Sequence, residues 1–299
     1  MQSDTLLKSF SNWVLAARLK TLTAAIIPIM AATALAKMQG FVVEWWVTAL
    51  CLFSATCIQI ATNFINDSID FKKGADTEER IGPKRVTQAG LINQKTVLNI
   101  AYVILLLSLM AGIPLVIRGG WVICAVGLTS MFFAYAYTGG PFPLAYEGLG
   151  DIFVLLFFGI IAVGGVYYLQ AKTYSIEALV LGIQMGLLST VLIAINNLRD
   201  VFQDAKVGKK TLAVRFGIAF VRAEIVILIG VAFLLQFYWL YFGQVKVFLL
   251  PLIFLPLGFI IIRNILKTTP SSIYNQYLAF SALLHAGFGL IIAIGFYWA

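Results

Sequence analysis

Charge comes in clusters along this chain, and between the clusters lie nine apolar stretches, near residues 21–37, 43–65, 97–117, 119–137, 150–170, 177–195, 223–243, 245–262 and 277–298. About 20 mostly apolar residues carry a helix through a hydrocarbon core ~30 Å thick. Only helices and closed barrels satisfy their backbone polar groups in lipid, and runs this long select helices. Composition agrees, because 61% of the 299 residues are apolar and 11% are charged, against about 25% charged in a soluble domain. The expected fold is all-α: one polytopic membrane domain over residues 1–299 with nine transmembrane helices.

The placement of the basic residues orients that bundle. With the N-terminus in the cytoplasm, all 21 Lys and Arg except Lys37, Arg118, Lys172 and Lys246 fall on the cytoplasmic side, as the positive-inside rule requires. This pattern accounts for the net charge of +8 without a nucleic-acid partner. The first apolar segment has Ala32 and Ala34 in a pattern that resembles a signal-peptide cleavage site. Pro28 within it and the charge count both favour a retained span. Cys51, Cys57 and Cys124 lie in apolar spans without C-x-x-C spacing and read as packing residues.

Two connections on the cytoplasmic side are long and polar, 66–96 and 196–222, and a shorter one covers 138–151. The acids concentrate in and beside these three. Asn66-x-x-x-Asp70 has a counterpart in Asn196-x-x-x-Asp200-x-x-x-Asp204, which suggests an internal duplication whose two copies face one another across the bundle. Side chains four apart on a helix sit about 5–6 Å apart, and two bare carboxylates at that distance repel by roughly 3 kcal/mol at an effective dielectric near 20. A cation is therefore expected there. Oxygen donors without histidine or thiol favour Mg²⁺, with Mn²⁺ as an alternative, and Mg²⁺ takes one or two carboxylates plus substrate phosphates.

The basic residues beside the acids complete that picture. Lys72, Lys73, Arg80, Lys84 and Arg85 follow the first cluster, and Arg199, Lys206, Lys209 and Lys210 surround the second. Arginine in particular binds phosphate oxygens bidentately, so a diphosphate substrate is implied. Departure of the diphosphate would leave an allylic cation, which aromatic faces and a dry cavity stabilise. Tyr135 and Tyr137 are candidates for that role. His285, the sole histidine, reads as a satisfied interior residue.

The stretch NDSIDFKKGADT from Asn66 resembles the first signature of the UbiA superfamily, in the branch that prenylates 1,4-dihydroxy-2-naphthoate. RIGPKRVTQAG from Arg80, YTGGPFPLAYEGLGD from Tyr137, NNLRDVFQDAKVGKKTLAVRFG from Asn196 and the basic Arg18-Leu19-Lys20 agree with it over the whole length. The resemblance implies a nine-helix bundle around a central cavity with cytoplasmic cap loops, in a bacterial cytoplasmic membrane, with the active site facing the cytoplasm. It implies transfer from a polyprenyl diphosphate to the ring carbon that bears the carboxylate, with loss of carbon dioxide, in menaquinone biosynthesis. Asn66, Asp70, Asn196, Asp200 and Asp204 then match metal-binding positions, and Asp67 joins the catalytic acids. Lys72, Arg80, Arg85, Arg199 and Lys209 match diphosphate contacts. Arg18, Lys20, Asn63, Asp151 and Asn197 are candidate acceptor or prenyl contacts. The chain departs from the pattern at Gly74, where an acid is common, so that metal-binding role either passes to Asp76 or is absent, and at Leu19, where proline is usual.

Two other readings remain. Sister enzymes that use 4-hydroxybenzoate, homogentisate or a phytyl donor share the same diphosphate machinery. A cation-coupled transporter would place its acids at the midplane of broken helices instead of at helix ends among basic residues.

Overall fold

The computed structural model describes residues 2–75 and 81–299. Among them the chain is helical throughout, with no strand. Helix α1 (Gln2–Ala17) precedes eight helices long and apolar enough to cross a membrane: α2 (Leu19–Met38), α3 (Trp45–Lys72), α4 (Gln94–Ala136), α5 (Gly150–Ala171), α6 (Ile176–Arg199), α8 (Leu212–Tyr241), α9 (Val245–Lys267) and α10 (Tyr274–Trp298). A short helix α7 (Val201–Lys206) lies between α6 and α8.

Eight apolar helices are compatible with nine spans. At 1.5 Å per residue the 43 residues of α4 would reach roughly 65 Å, twice a hydrocarbon core. The helix breaks at Gly120, which has φ 69° and ψ −158°, and residues from both sides of the break line the same cavity. Gly120 is therefore a reversal joining two antiparallel halves, made in a left-handed conformation that costs glycine little.

Helix α6 forms the centre of the bundle and is buried along most of its length, in keeping with apolar residues all round it. Its few polar side chains are paired. Gln184 donates to the Ala232 carbonyl at 3.1 Å and accepts from the Trp239 indole at 3.0 Å. Ser189 pairs with His285 Nε2 at 3.1 Å. His285 is fully buried as expected, but its Nδ1 has no hydrogen-bond partner among the described residues. Where α5 crosses α6, a Cβ on Gly159 would stand 2.3 Å from the Gly182 carbonyl oxygen, so glycine there lets two backbones touch. A π-helical turn, Leu156–Ile161, occupies the same stretch.

The polar connections are shorter than their sequence suggests. Residues 66–72 form the last two turns of α3, and 196–199 end α6. Part of 196–222 is helical as α7 and the start of α8, which breaks at Gly217 with φ 86°. Both acidic motifs thus sit on rigid helix ends.

Candidate active site

Helix geometry decides which residues of the first motif face the interior. Gln59, Asn63, Asn66, Asp70 and Lys73 recur at intervals of three and four, a single face of α3. Asp70 is buried and takes three donors: Tyr146 Oη at 2.8 Å, Arg85 Nη2 at 3.1 Å and Lys209 Nζ at 3.5 Å. Asn66 accepts a hydrogen bond from the Thr138 hydroxyl. Lys73 donates to the Thr138 carbonyl at 2.8 Å and lies 4.2 Å above the Tyr146 ring. Burial lowers the Lys73 ammonium below the ordinary lysine range, with Asp70 opposing and Lys209 adding to the effect.

Asp67 lies a quarter-turn away and does different work. It accepts from the Val86 and Thr87 amides at 3.1 and 3.2 Å and from the Thr87 hydroxyl. The carboxylate expected among the catalytic acids is filled by the backbone of the cap loop, which it anchors beside Asp70. Lys72, expected at the diphosphate, is exposed on the opposite face. Lys73 is exposed too, but its ammonium turns back to the Thr138 carbonyl and the Tyr146 ring. Asn63, a candidate acceptor contact, is held by the Ala17 carbonyl and the Thr21 hydroxyl, both at 2.9 Å. It pins the junction of α1 and α2, where Arg18 adopts φ 51° and is half-buried. Lys20 is exposed. Asp76 and Arg80 lie outside the described residues.

The second motif is organised by one arginine. Arg199, almost wholly buried, grips Asp200 with a fork, Nε to Oδ1 at 2.7 Å and Nη2 to Oδ2 at 2.6 Å. It also donates to Asn196 Oδ1 at 2.9 Å and Asn275 Oδ1 at 2.8 Å. Asn275, at the start of α10, donates in turn to the Ile81 carbonyl at 3.1 Å, so the arginine is tied to both acidic loops. Asn197 is half-buried and lies outside this set of bonds.

Lys209 joins the two motifs. Its ammonium is 3.5 Å from Asp70 and 4.0 Å from Asp204, and 5.0 Å above the Tyr146 ring. The 137–149 connection is locked against the second loop, since the Lys210 amide donates to the Tyr146 carbonyl at 2.8 Å. Gly148 permits that approach: its φ is 69°, and a Cβ there would stand 2.6 Å from the Lys210 carbonyl oxygen. Tyr146 and Asn275 are site residues that the sequence reading gave no role, whereas Lys73, named there among the basic residues after the first cluster, lies on the polar stripe of α3.

Below this cluster lies an apolar cavity of about 460 Å³ between α2, α3, both halves of α4 and α5. Tyr137 lines its upper end, with its hydroxyl 3.0 Å from where a side chain on Gly150 would begin. Burial raises the Tyr137 phenol above the ordinary range, with Asp151, Asp70 and Asp204 adding to the effect, so it stays a neutral donor. Tyr135, two residues away, faces outward and is well exposed. Phe133, Phe153 and Phe157 pack against one another on the cavity wall, with centroids 4.6–5.8 Å apart. Both carboxylate oxygens of Asp151 are buried without a hydrogen-bond partner among the described residues.

The donor set is all oxygen. Among the described residues no three acids, histidines or cysteines stand close enough to form a preformed metal cage. Oxygen donors suit an ion such as Mg²⁺, which keeps several waters and completes its shell with substrate phosphates.

Residues 25–296 match the profile of the UbiA prenyltransferase family. A 1,4-dihydroxy-2-naphthoate octaprenyltransferase of Haemophilus influenzae is 41% identical over 229 residues, 74% of each chain. One of the same name from Escherichia coli is 41% identical over 214 residues, 69% of this chain and 68% of that one. The fold matches a solved UbiA homologue of Archaeoglobus fulgidus bound to GPP and Mg²⁺, with a TM-score of 0.60 at 15% identity over 95% of this chain and 99% of that one.

Proposed function

The chain belongs to the UbiA prenyltransferase family, and on that premise we propose that it transfers a polyprenyl group from its diphosphate to 1,4-dihydroxy-2-naphthoate, releasing diphosphate and carbon dioxide and giving demethylmenaquinol for menaquinone biosynthesis. The relatives of that name support the acceptor. The observation that supports the chemistry is the meeting of two acidic motifs around Lys209, at the mouth of an apolar cavity. The chain is a multi-pass membrane protein. Its bacterial relatives favour a bacterial inner membrane, and the placement of its basic residues puts this site on the cytoplasmic face in that reading.

Asn66, Asp70, Asn196, Asp200 and Asp204 would hold Mg²⁺, or Mn²⁺ in its place, and Asp76 is a further proposed ligand. Bound there, the ion supplies Lewis-acid neutralisation of the diphosphate charge. Lys73, Arg85 and Lys209 would take the remaining phosphate oxygens, with Arg80 a further proposed contact, and Arg199, its fork engaged by Asp200, would orient that carboxylate toward them. The allylic carbon–oxygen bond breaks, its electron pair leaving with the diphosphate. Tyr137 and the Phe133, Phe153 and Phe157 rings offer their faces to the cation, and the apolar wall keeps water out. The ring carbon bearing the carboxylate then forms the new carbon–carbon bond. The electron pair of the carboxylate bond returns to the ring as carbon dioxide leaves. Asp151, with two unpartnered oxygens, offers an acceptor for the ring hydroxyls.

Membranes carrying this protein, given a labelled polyprenyl diphosphate and one acceptor at a time, are expected to prenylate dihydroxynaphthoate about a hundredfold faster than 4-hydroxybenzoate or homogentisate, as a site built for one polar pattern does. Comparable rates would move the protein to a sister activity with the same diphosphate chemistry.

A further inference from the structure

Glycines in this bundle are of two kinds. Gly159 and Gly186 let backbones touch, and a Cβ at either would clash at 2.3–2.5 Å. At Gly112, Gly127 and Gly165 a Cβ would meet nothing within 4 Å, and all three line the apolar cavity. They come from three segments, the two halves of α4 and the end of α5.

Their depths are staggered. Ser54 and Ser108 donate to each other's carbonyls at 3.3 and 3.1 Å and so share a height. Asp70 stands roughly 24 Å up α3 from Ser54, and Gly112 roughly 6 Å down α4 from Ser108, which puts Gly112 roughly 30 Å from Asp70. Thr138 is level with the acids, since its hydroxyl donates to Asn66 and its carbonyl accepts from Lys73, and Gly127 lies roughly 16 Å below it along α4. A Cβ on Gly150 would stand 3.0 Å from the Tyr137 hydroxyl, and Gly165 lies roughly 22 Å below Gly150 along α5.

We propose that Gly112, Gly127 and Gly165 determine how long a prenyl chain the protein accepts, by leaving the deep end of the cavity open where side chains would close it. The proposal rests on the prenyl-transfer reading of the same site. An isoprene unit adds four chain bonds, about 5 Å when extended with carbon–carbon bonds near 1.5 Å. A three-unit chain ends about 15 Å from its diphosphate, before the first of these glycines, whereas an eight-unit chain of about 40 Å has to pass all three.

Gly112→Leu, Gly127→Leu and Gly165→Leu test this. Leucine is the better helix former, and its side chain enters open space, so the variants retain the fold. The probes are farnesyl diphosphate and an eight-unit polyprenyl diphosphate, each with Mg²⁺. In the variants the rise in melting temperature on adding the eight-unit donor is expected to disappear, while that with farnesyl diphosphate persists. With dihydroxynaphthoate, kcat/KM for the long donor is expected to fall about tenfold or more, and for farnesyl diphosphate to stay within about twofold, the scale on which a filled apolar pocket discriminates. Equal effects on both donors, or on neither, would overturn the assignment. Failure of the unaltered protein to prenylate dihydroxynaphthoate, with its donor-dependent melting shifts intact, would count against the acceptor and leave the chain-length test standing on the melting data.

Discussion

Replacing Asp70, Asp200 or Asp204 by asparagine, one at a time, is expected to lower prenyl transfer by at least about a hundredfold, the scale on which a charge-stabilising group at a reacting centre is lost. The substitution keeps shape and most hydrogen bonds. An asparagine at position 70 would still accept from Tyr146, and one at position 200 would still accept one arm of the Arg199 fork. What disappears is the negative charge that holds a divalent ion against the diphosphate. Each variant should therefore melt cooperatively while requiring far more Mg²⁺ for half-maximal activity. Near-normal turnover in any of the three, or undiminished activity of the unaltered protein in excess chelator, would remove the metal from the reaction.

Asp67→Ala is expected to fail for a different reason. It strands the Val86 and Thr87 amides, both directed at one buried carboxylate, while the Thr87 hydroxyl keeps the backbone carbonyl of residue 67. A buried donor left unpaired costs about 1–3 kcal/mol, so a total loss of about 3 kcal/mol or more is expected, along with a raised KM for the donor as Arg85 loses its support. The Mg²⁺ requirement of the remaining activity should be unchanged. Asp67→Asn, which keeps one oxygen for these amides, should recover part of the lost stability. A metal dependence shifted as far as that of Asp70→Asn would return Asp67 to the metal site.

The contrast between these two acids marks where sequence reading stops. The spans were legible because bilayer thickness sets a length that apolar runs either meet or miss, and the break at Gly120 follows from two such runs with Arg118-Gly119-Gly120 between them. The pairing of the two acidic motifs was legible from their spacing. Within the first motif, a 100° step per residue turns Lys72 to the far side from Asp70, whereas Asp67 is only about 60° from Asp70, and its separate role is visible only once the Val86 and Thr87 amides are placed on it. Tyr146 and Asn275 reach the site from elements distant in sequence, Asn275 through Arg199 and Ile81. Tyr146 lies within the stretch quoted from Tyr137, where nothing sets it apart from its neighbours, and no local pattern announces Asn275. The glycines of the cavity were likewise invisible, since a glycine facing a void and one touching a backbone read alike until neighbouring atoms are placed.

The central claim, that the ring carbon bearing the carboxylate is the one prenylated, has a direct measurement. Purified protein in lipid, with Mg²⁺ and a polyprenyl diphosphate, is supplied with dihydroxynaphthoate labelled in its carboxyl carbon. One labelled carbon dioxide is expected per prenyl group transferred, together with an unlabelled prenylated naphthoquinol in the membrane. Label retained in the prenylated product would contradict it.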